Sequence, residues 1–144
     1  MARGKALFLC THNSSRSQMA EGLLRSLHGE QWEAFSAGTE PRGVHPYAVT
    51  VMAEIGIDIS ANQSKHVDSL LGKSFDLVVT VCDNANETCP IFPGGTKRQH
   101  RSFPDPSSAP GTPEERLDAF RLIRDEIKEW IKTDAIFSVH SLPS

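Results

Sequence analysis

Lys5-Ala-Leu-Phe-Leu-Cys10 followed by Thr11-His-Asn-Ser-Ser-Arg16-Ser17 is the stretch that decides the fold, because the chain turns from apolar to polar at a cysteine. The apolar run has the length of a buried strand. Beyond the polar loop, Met19, Leu23, Leu24 and Leu27 recur at helical spacing. Strand, tight loop and helix N-terminus therefore follow one another. Backbone N–H groups of such a loop point inward, the helix dipole is positive there, and a guanidinium six positions after the thiol can clamp two oxygens of a tetrahedral anion. The same field would ionise the thiol. Free cysteine has a pKa of about 8.5, and thiols at helix N-termini or beside Arg fall to roughly 3.5–7.5. Cys10 is thus the expected nucleophile. Thr11, His12, Asn13, Ser14, Ser15 and Arg16 form the expected oxyanion loop, and the Ser17 hydroxyl is a further expected donor to the sulfur. The His12 ring itself reads as a packing or solvent group. A buried structural cysteine is the commoner fate of a free thiol, but it would not require a polar loop closed by Arg-Ser.

Outward from this stretch, strands alternate with helices. Residues 33–38 read as a second strand before a Gly/Pro turn. A second helix starts near His45-Pro46, carries Ala48, Val51, Met52 and Ile55 on one face and stops at Gly56. A short helix near 67–71 precedes the buried strand 76–81, and 97–103 supplies an edge-like fourth strand. The last helix is the clearest: Thr112-Pro-Glu-Glu115 is a capping box with Pro at the first helical position. Leu117, Phe120, Ile123, Ile127, Trp130 and Ile131 form its apolar stripe. This alternation predicts a single three-layer α/β domain over 1–144, a four-stranded parallel sheet with helices on both faces. The tail 133–144 carries no readable signal. The ligand site belongs at the carboxyl ends of the strands, where Cys10 and Cys82 both fall.

The chain has 144 residues, 38% hydrophobic and 23% charged, with a formal net charge of −3. That size buries a core without staples, and the charge argues against a nucleic-acid or anionic-membrane surface. No apolar stretch approaches the roughly 18–20 residues of a membrane span, and Met-Ala-Arg-Gly-Lys leads straight into a strand without a signal-peptide core. A cytoplasmic monomer without cofactor is expected. Three cysteines, Cys10, Cys82 and Cys89, make an odd count that disfavours a disulfide framework and favours catalytic thiols.

Cys82 ends one strand as Cys10 ends another, so both sit on one rim. The polar segment 83–88, then Cys89-Pro90 and Pro93-Gly-Gly95, suits a thiol relay. Zinc is disfavoured, because neither Cys-x-x-Cys nor His-x3–5-His occurs. Asp105 lies in Phe103-Pro-Asp-Pro106, its backbone restricted on both sides. Over the rim it would be a general acid for a leaving oxygen; otherwise it is a solvated turn residue. His28, His45, His66, His100 and His140 show no usable pairing, and Trp32 and Trp130 read as packing.

Cys10-Thr-His-Asn-Ser-Ser-Arg16-Ser17-Gln-Met-Ala-Glu21, Cys82 with Cys89-Pro90, and the Asp105-Pro106 loop together resemble the thioredoxin-coupled arsenate reductases, on the low-molecular-weight tyrosine phosphatase fold. The likeness runs from about residue 4 to about residue 132. It implies that Cys10 attacks arsenate held by the loop and Arg16 while Asp105 helps water leave. Cys82 would then attack Cys10 and release arsenite, and Cys89 would move the disulfide to Cys82–Cys89 for thioredoxin. Phosphate and arsenate share shape and charge, but only arsenic(V) accepts two electrons from thiols here.

Two departures from the family pattern matter. Ser15 stands where phosphatases of this fold have a second cysteine, and Ser107-Ser108 where they have tyrosines, so the aromatic clamp for phosphotyrosine is missing. The family's potassium site matches Asn13, Glu21 and Ser36, but Lys65 replaces an aspartate, so no metal is expected. The alternative function is a protein-tyrosine or small-molecule phosphatase using Cys10 and Asp105. A third reading is a redox or anion sensor without turnover.

Overall fold

The computed structural model describes residues 3–82 and 97–137. Four strands, β1 (Gly4–Leu9), β2 (Trp32–Ala37), β3 (Leu77–Thr80) and β4 (Lys97–His100), form one sheet in the order β2-β1-β3-β4. All three pairings are parallel, with Leu7 opposite Phe35 on one side and Val78 on the other. Three α-helices are described: α1 (Arg16–His28), α2 (Pro46–Ala53) and α3 (Pro113–Thr133). None is long and apolar enough to cross a membrane.

Successive strand residues point to opposite faces, and Leu7 and Phe8 are both fully buried. The central strand is therefore covered on both sides, which is why its sequence is a continuous apolar run rather than an alternation. On the Phe8 face, Trp130 of α3 meets the Phe8 ring edge-on at 6.1 Å, and Phe137 lies 5.0 Å from Trp130. Met19, Leu23 and Leu24 of α1 are fully buried, worth about 1.5–3 kcal/mol each. Edge strand β4 is mostly exposed, as its Lys-Arg-Gln-His composition predicts.

The capping box of α3 is present, with the Thr112 hydroxyl accepting from the Glu115 amide and the Glu115 carboxylate accepting from the Thr112 amide. Helix α2 ends at Ala53, three residues before the expected stop; Gly56 at φ 81° lies just beyond its end. The tail also carries more structure than its sequence announces. Residues Ala135–Phe137 form a 3-10 turn, Phe137 is buried, and its carbonyl accepts from the Trp32 indole at 3.0 Å. The reading of Trp32 and Trp130 as packing residues holds, since both are buried in this aromatic cluster.

Cys10 falls just past β1 and Cys82 just past β3, so both thiols lie at the carboxyl rim of the sheet. The ladder continues there, with Val81 donating to the Leu9 carbonyl at 2.8 Å and Cys10 to the Ala37 carbonyl at 3.3 Å. The core fixes the height of both sulfurs.

Candidate active site

The loop from Cys10 to Arg16 is held from outside by its carbonyls. Thr11, His12, Ser14 and Ser15 accept from the backbone amides of Glu40, Arg42, His45 and Met19 at 2.8 to 3.0 Å. The Asn13 carbonyl accepts from the Gln18 amide at 3.1 Å, and the Ser64 hydroxyl adds a second bond to His12. In a trans peptide the carbonyl and the following N–H point opposite ways. Five outward carbonyls thus turn the amides of residues 12–16 inward, a concave donor set for an anion. Asn13 takes φ 45° to close the loop, a backbone region that Asn tolerates better than most residues. Gly38 packs beneath, where a Cβ would lie 2.6 Å from the Thr11 carbonyl oxygen and 2.7 Å from that of Cys10.

The loop floors a cavity of about 240 Å³, whose lining includes Cys10, Arg16, Asp105, Ser107, Arg42 and His45. Arg16 is buried. One terminal nitrogen donates to the Phe103 carbonyl at 3.1 Å, the other lies 3.6 Å from Asp105, and its Nε has no partner among the described residues. A buried donor left unmade costs about 1–3 kcal/mol. Phe103 in turn packs on Trp130 at 5.5 Å, so the aromatic core holds the guanidinium in place.

Cys10 corrects the expectation of a ready thiolate. Its thiol is hydrogen-bonded to the Cys82 sulfur, and this contact together with burial pushes its pKa up, against the pull of Arg16 and the His12 amide. Two adjacent sulfurs cannot both carry charge cheaply. The acceptor, Cys82, takes the Thr11 amide at 3.2 Å and lies 3.3 Å from the Thr11 hydroxyl.

The Ser17 hydroxyl accepts from Asn13 Nδ2 at 2.9 Å and so braces the loop. His12 contributes its amide to Cys10 and lines the cavity. Asp105 does lie over the rim, as an ion. Burial would raise its carboxyl, but the Ser107 hydroxyl and amide and the Arg16 charge outweigh that and hold it below the ordinary range. A proton must therefore reach Asp105 before it can act as an acid.

At the suggested potassium site the oxygens serve protein donors. Asn13 Oδ1 accepts from the Lys65 amide at 2.9 Å, and Glu21 accepts from Ser36 and the Arg25 guanidinium. The Lys65 ammonium reaches the Gln63 carbonyl. Cys89 lies outside the described residues. The sequence reading missed Arg42 and His45, which enter the cavity from the loop before α2. The signal available was topological: in a parallel sheet, loops leaving neighbouring strands share one rim.

Comparison with known proteins agrees with this geometry. The model of the family "Low molecular weight phosphotyrosine protein phosphatase" matches residues 5–134. An arsenate reductase of Halalkalibacterium halodurans is 51% identical over 128 residues, covering 89% of this chain and 92% of its own. The arsenate reductase of Bacillus subtilis is 48% identical over 125 residues, covering 87% and 90%. Among solved structures, the thioredoxin-dependent arsenate reductase of Corynebacterium glutamicum superposes with a TM-score of 0.68 at 27% identity, covering 91% of this chain and 61% of the other. The chain therefore belongs to the low molecular weight phosphotyrosine protein phosphatase family, beside those of its members that are named arsenate reductases.

Proposed function

We propose that the chain reduces arsenate to arsenite with Cys10, Cys82 and Cys89, and that thioredoxin restores the thiols. One observation carries this reading: the nucleophile at the floor of an oxyanion cavity is already hydrogen-bonded to a second thiol. Hydrolysis of a phosphate ester needs one thiol; a two-electron reduction needs two.

The first step needs no outside acid; the arsenite released later takes up its remaining protons from water. The Cys10 thiol and hydrogen arsenate give a Cys10–As(V) bond and one water, the thiol proton passing through the Asp105 carboxylate to the leaving oxygen. Arg16 Nε and the loop amides would hold the arsenic-bound oxygens and offset the charge gathering beside Cys10. Cys82, its sulfur held by the Thr11 amide and beside the Thr11 hydroxyl, then attacks the Cys10 sulfur and gives its proton to the departing arsenite. A Cys10–Cys82 disulfide forms, the S–As bond breaks, and its electron pair leaves on arsenic as arsenite. The Cys89 thiol next attacks the Cys82 sulfur, moving the disulfide to Cys82–Cys89 and returning a proton to Cys10. A thioredoxin dithiol reduces that bond.

The test is steady-state arsenite formation with thioredoxin and its reductase, set beside single Cys→Ser variants. Loss of turnover in Cys10→Ser, Cys82→Ser and Cys89→Ser supports the relay. Native-like turnover in Cys89→Ser overturns the three-thiol route. A phosphatase is the second reading, favoured by the family and by Asp105 over the cavity. It predicts phosphate-monoester hydrolysis that needs Cys10 and survives loss of both other thiols.

A further inference from the structure

His45 belongs to none of the steps above, yet it lines the same cavity as Cys10, Arg16 and Asp105. Four contacts fix it. Its backbone amide donates to the Ser14 carbonyl at 3.0 Å, so it moves with the oxyanion loop. Its ring lies 4.7 Å from that of Phe120 and 5.2 Å from that of Tyr47. Its Nδ1 accepts the Tyr47 amide at 3.0 Å, capping α2.

The cap decides the tautomer. A ring nitrogen that accepts carries no proton, so the proton of the neutral imidazole sits on Nε2. Burial and the nearby Arg116 push the ring's pKa below its ordinary value, against the opposing Asp105 carboxylate. The ring is accordingly neutral at pH 7, and Nε2–H makes no hydrogen bond among the described residues. His45 thus keeps one free donor, Nε2–H, on a residue that lines a cavity whose floor presents amides to an anion.

We propose that His45 is a substrate-contacting residue, its Nε2–H donating to an outward oxygen of a tetrahedral oxyanion such as phosphate or arsenate. This rests on the cavity being the oxyanion site. The loop amides would grip the inner oxygens, and His45 would fix the rotation of the outer ones beside Asp105. A protonated imidazole could not keep the cap, so the contact is one neutral hydrogen bond and not an ion pair.

Binding of inorganic phosphate, measured by calorimetry on the reduced full chain, tests this without any redox step. Asn at this position keeps the cap acceptor but is too short to reach the anion. His45→Asn is expected to weaken phosphate binding about tenfold with a native-like melting temperature. His45→Ala should show the same loss and melt earlier. Native affinity in His45→Asn overturns the proposal, as does a loss of affinity seen only in His45→Ala. If the native chain binds phosphate and His45→Asn weakens it, while no thiol-dependent arsenite forms, the contact stands and arsenate reduction falls. If the native chain binds no phosphate, both fall.

Discussion

The Thr11 amide donates to the Cys82 sulfur at 3.2 Å, joining the oxyanion loop to the thiol beyond β3 before any substrate arrives. The same peptide run that turns inward to hold an anion therefore also holds the second sulfur. With Cys82 anchored there, the Cys10 thiol has an acceptor, and that contact pushes its pKa up. The two thiols are coupled through one contact.

Removing Cys82 should therefore make Cys10 more acidic. The Cys82 contact is the largest cause raising the Cys10 pKa, with burial next; Arg16 and the His12 amide pull it down. In Cys82→Ala the first cause disappears while both opposing ones remain, so the thiolate appears at lower pH. Iodoacetamide labelling of Cys10, followed peptide by peptide in a mass spectrometer, should begin at lower pH in Cys82→Ala. At a fixed pH below both values it should run about tenfold faster per unit of lowered pKa. A profile matching the native one would remove Cys82 as the controlling group.

Arg16→Lys should bind phosphate on the order of 10–100-fold more weakly while folding normally. Lysine brings the charge but one point donor in place of a fork. It cannot bond the Phe103 carbonyl and also supply a second nitrogen to the anion. Calorimetry decides this, and an affinity within about threefold of native would mean that the loop amides alone bind the anion.

Much of this site could be read from the chain because its signals are local. Cys10, the polar loop and Arg16 lie within one strand–loop–helix unit, and the Thr112 cap and the α3 stripe follow from near-neighbour spacing. What escaped depends on chain segments meeting from far apart. The Cys10 proton is set by Cys82, 72 positions on, the Asp105 charge by Arg16, and the His45 tautomer by a cap facing a cavity built elsewhere. Ser17 shows the same limit: adjacency to Arg16 pointed to the sulfur and gave no sign of the bond that its hydroxyl accepts from Asn13. The tail misled for want of pattern, since Phe137 docks as a single ring onto Trp32 and Trp130 rather than through a periodic stripe.

Gly38→Ala should disable the site without touching any reacting group. A Cβ there would meet the Thr11 and Cys10 carbonyl oxygens and the Asn13 nitrogen at 2.6, 2.7 and 2.8 Å, all backbone atoms. Relief requires the oxyanion loop to rise, which misdirects its amides. Phosphate binding should fall at least tenfold, with some loss of stability as well. Native phosphate affinity in Gly38→Ala would show that the loop shifts freely and that its carbonyl anchors do not set the donor geometry.

The junction of α2 with α3 separates burial from charge count. Arg121 ion-pairs with Glu54, Glu114 and Asp118, of which Glu114 and Asp118 are exposed. Arg124 makes fewer carboxylate contacts, but it is buried and donates to the Val51 carbonyl at 2.9 Å as well as to Glu54. Exposed ion pairs contribute about 0–1 kcal/mol, whereas stranding a buried acceptor costs about 1–3 kcal/mol. Arg124→Met, which keeps an aliphatic stem over the same surface, should therefore lower stability more than Arg121→Met despite the shorter tally of charges. Urea unfolding followed by circular dichroism gives the ranking, with phosphate affinity unchanged in both variants because neither side chain reaches the cavity. An equal or larger loss in Arg121→Met would mean that the carboxylate network, and not the bond to Val51, holds α2 onto α3.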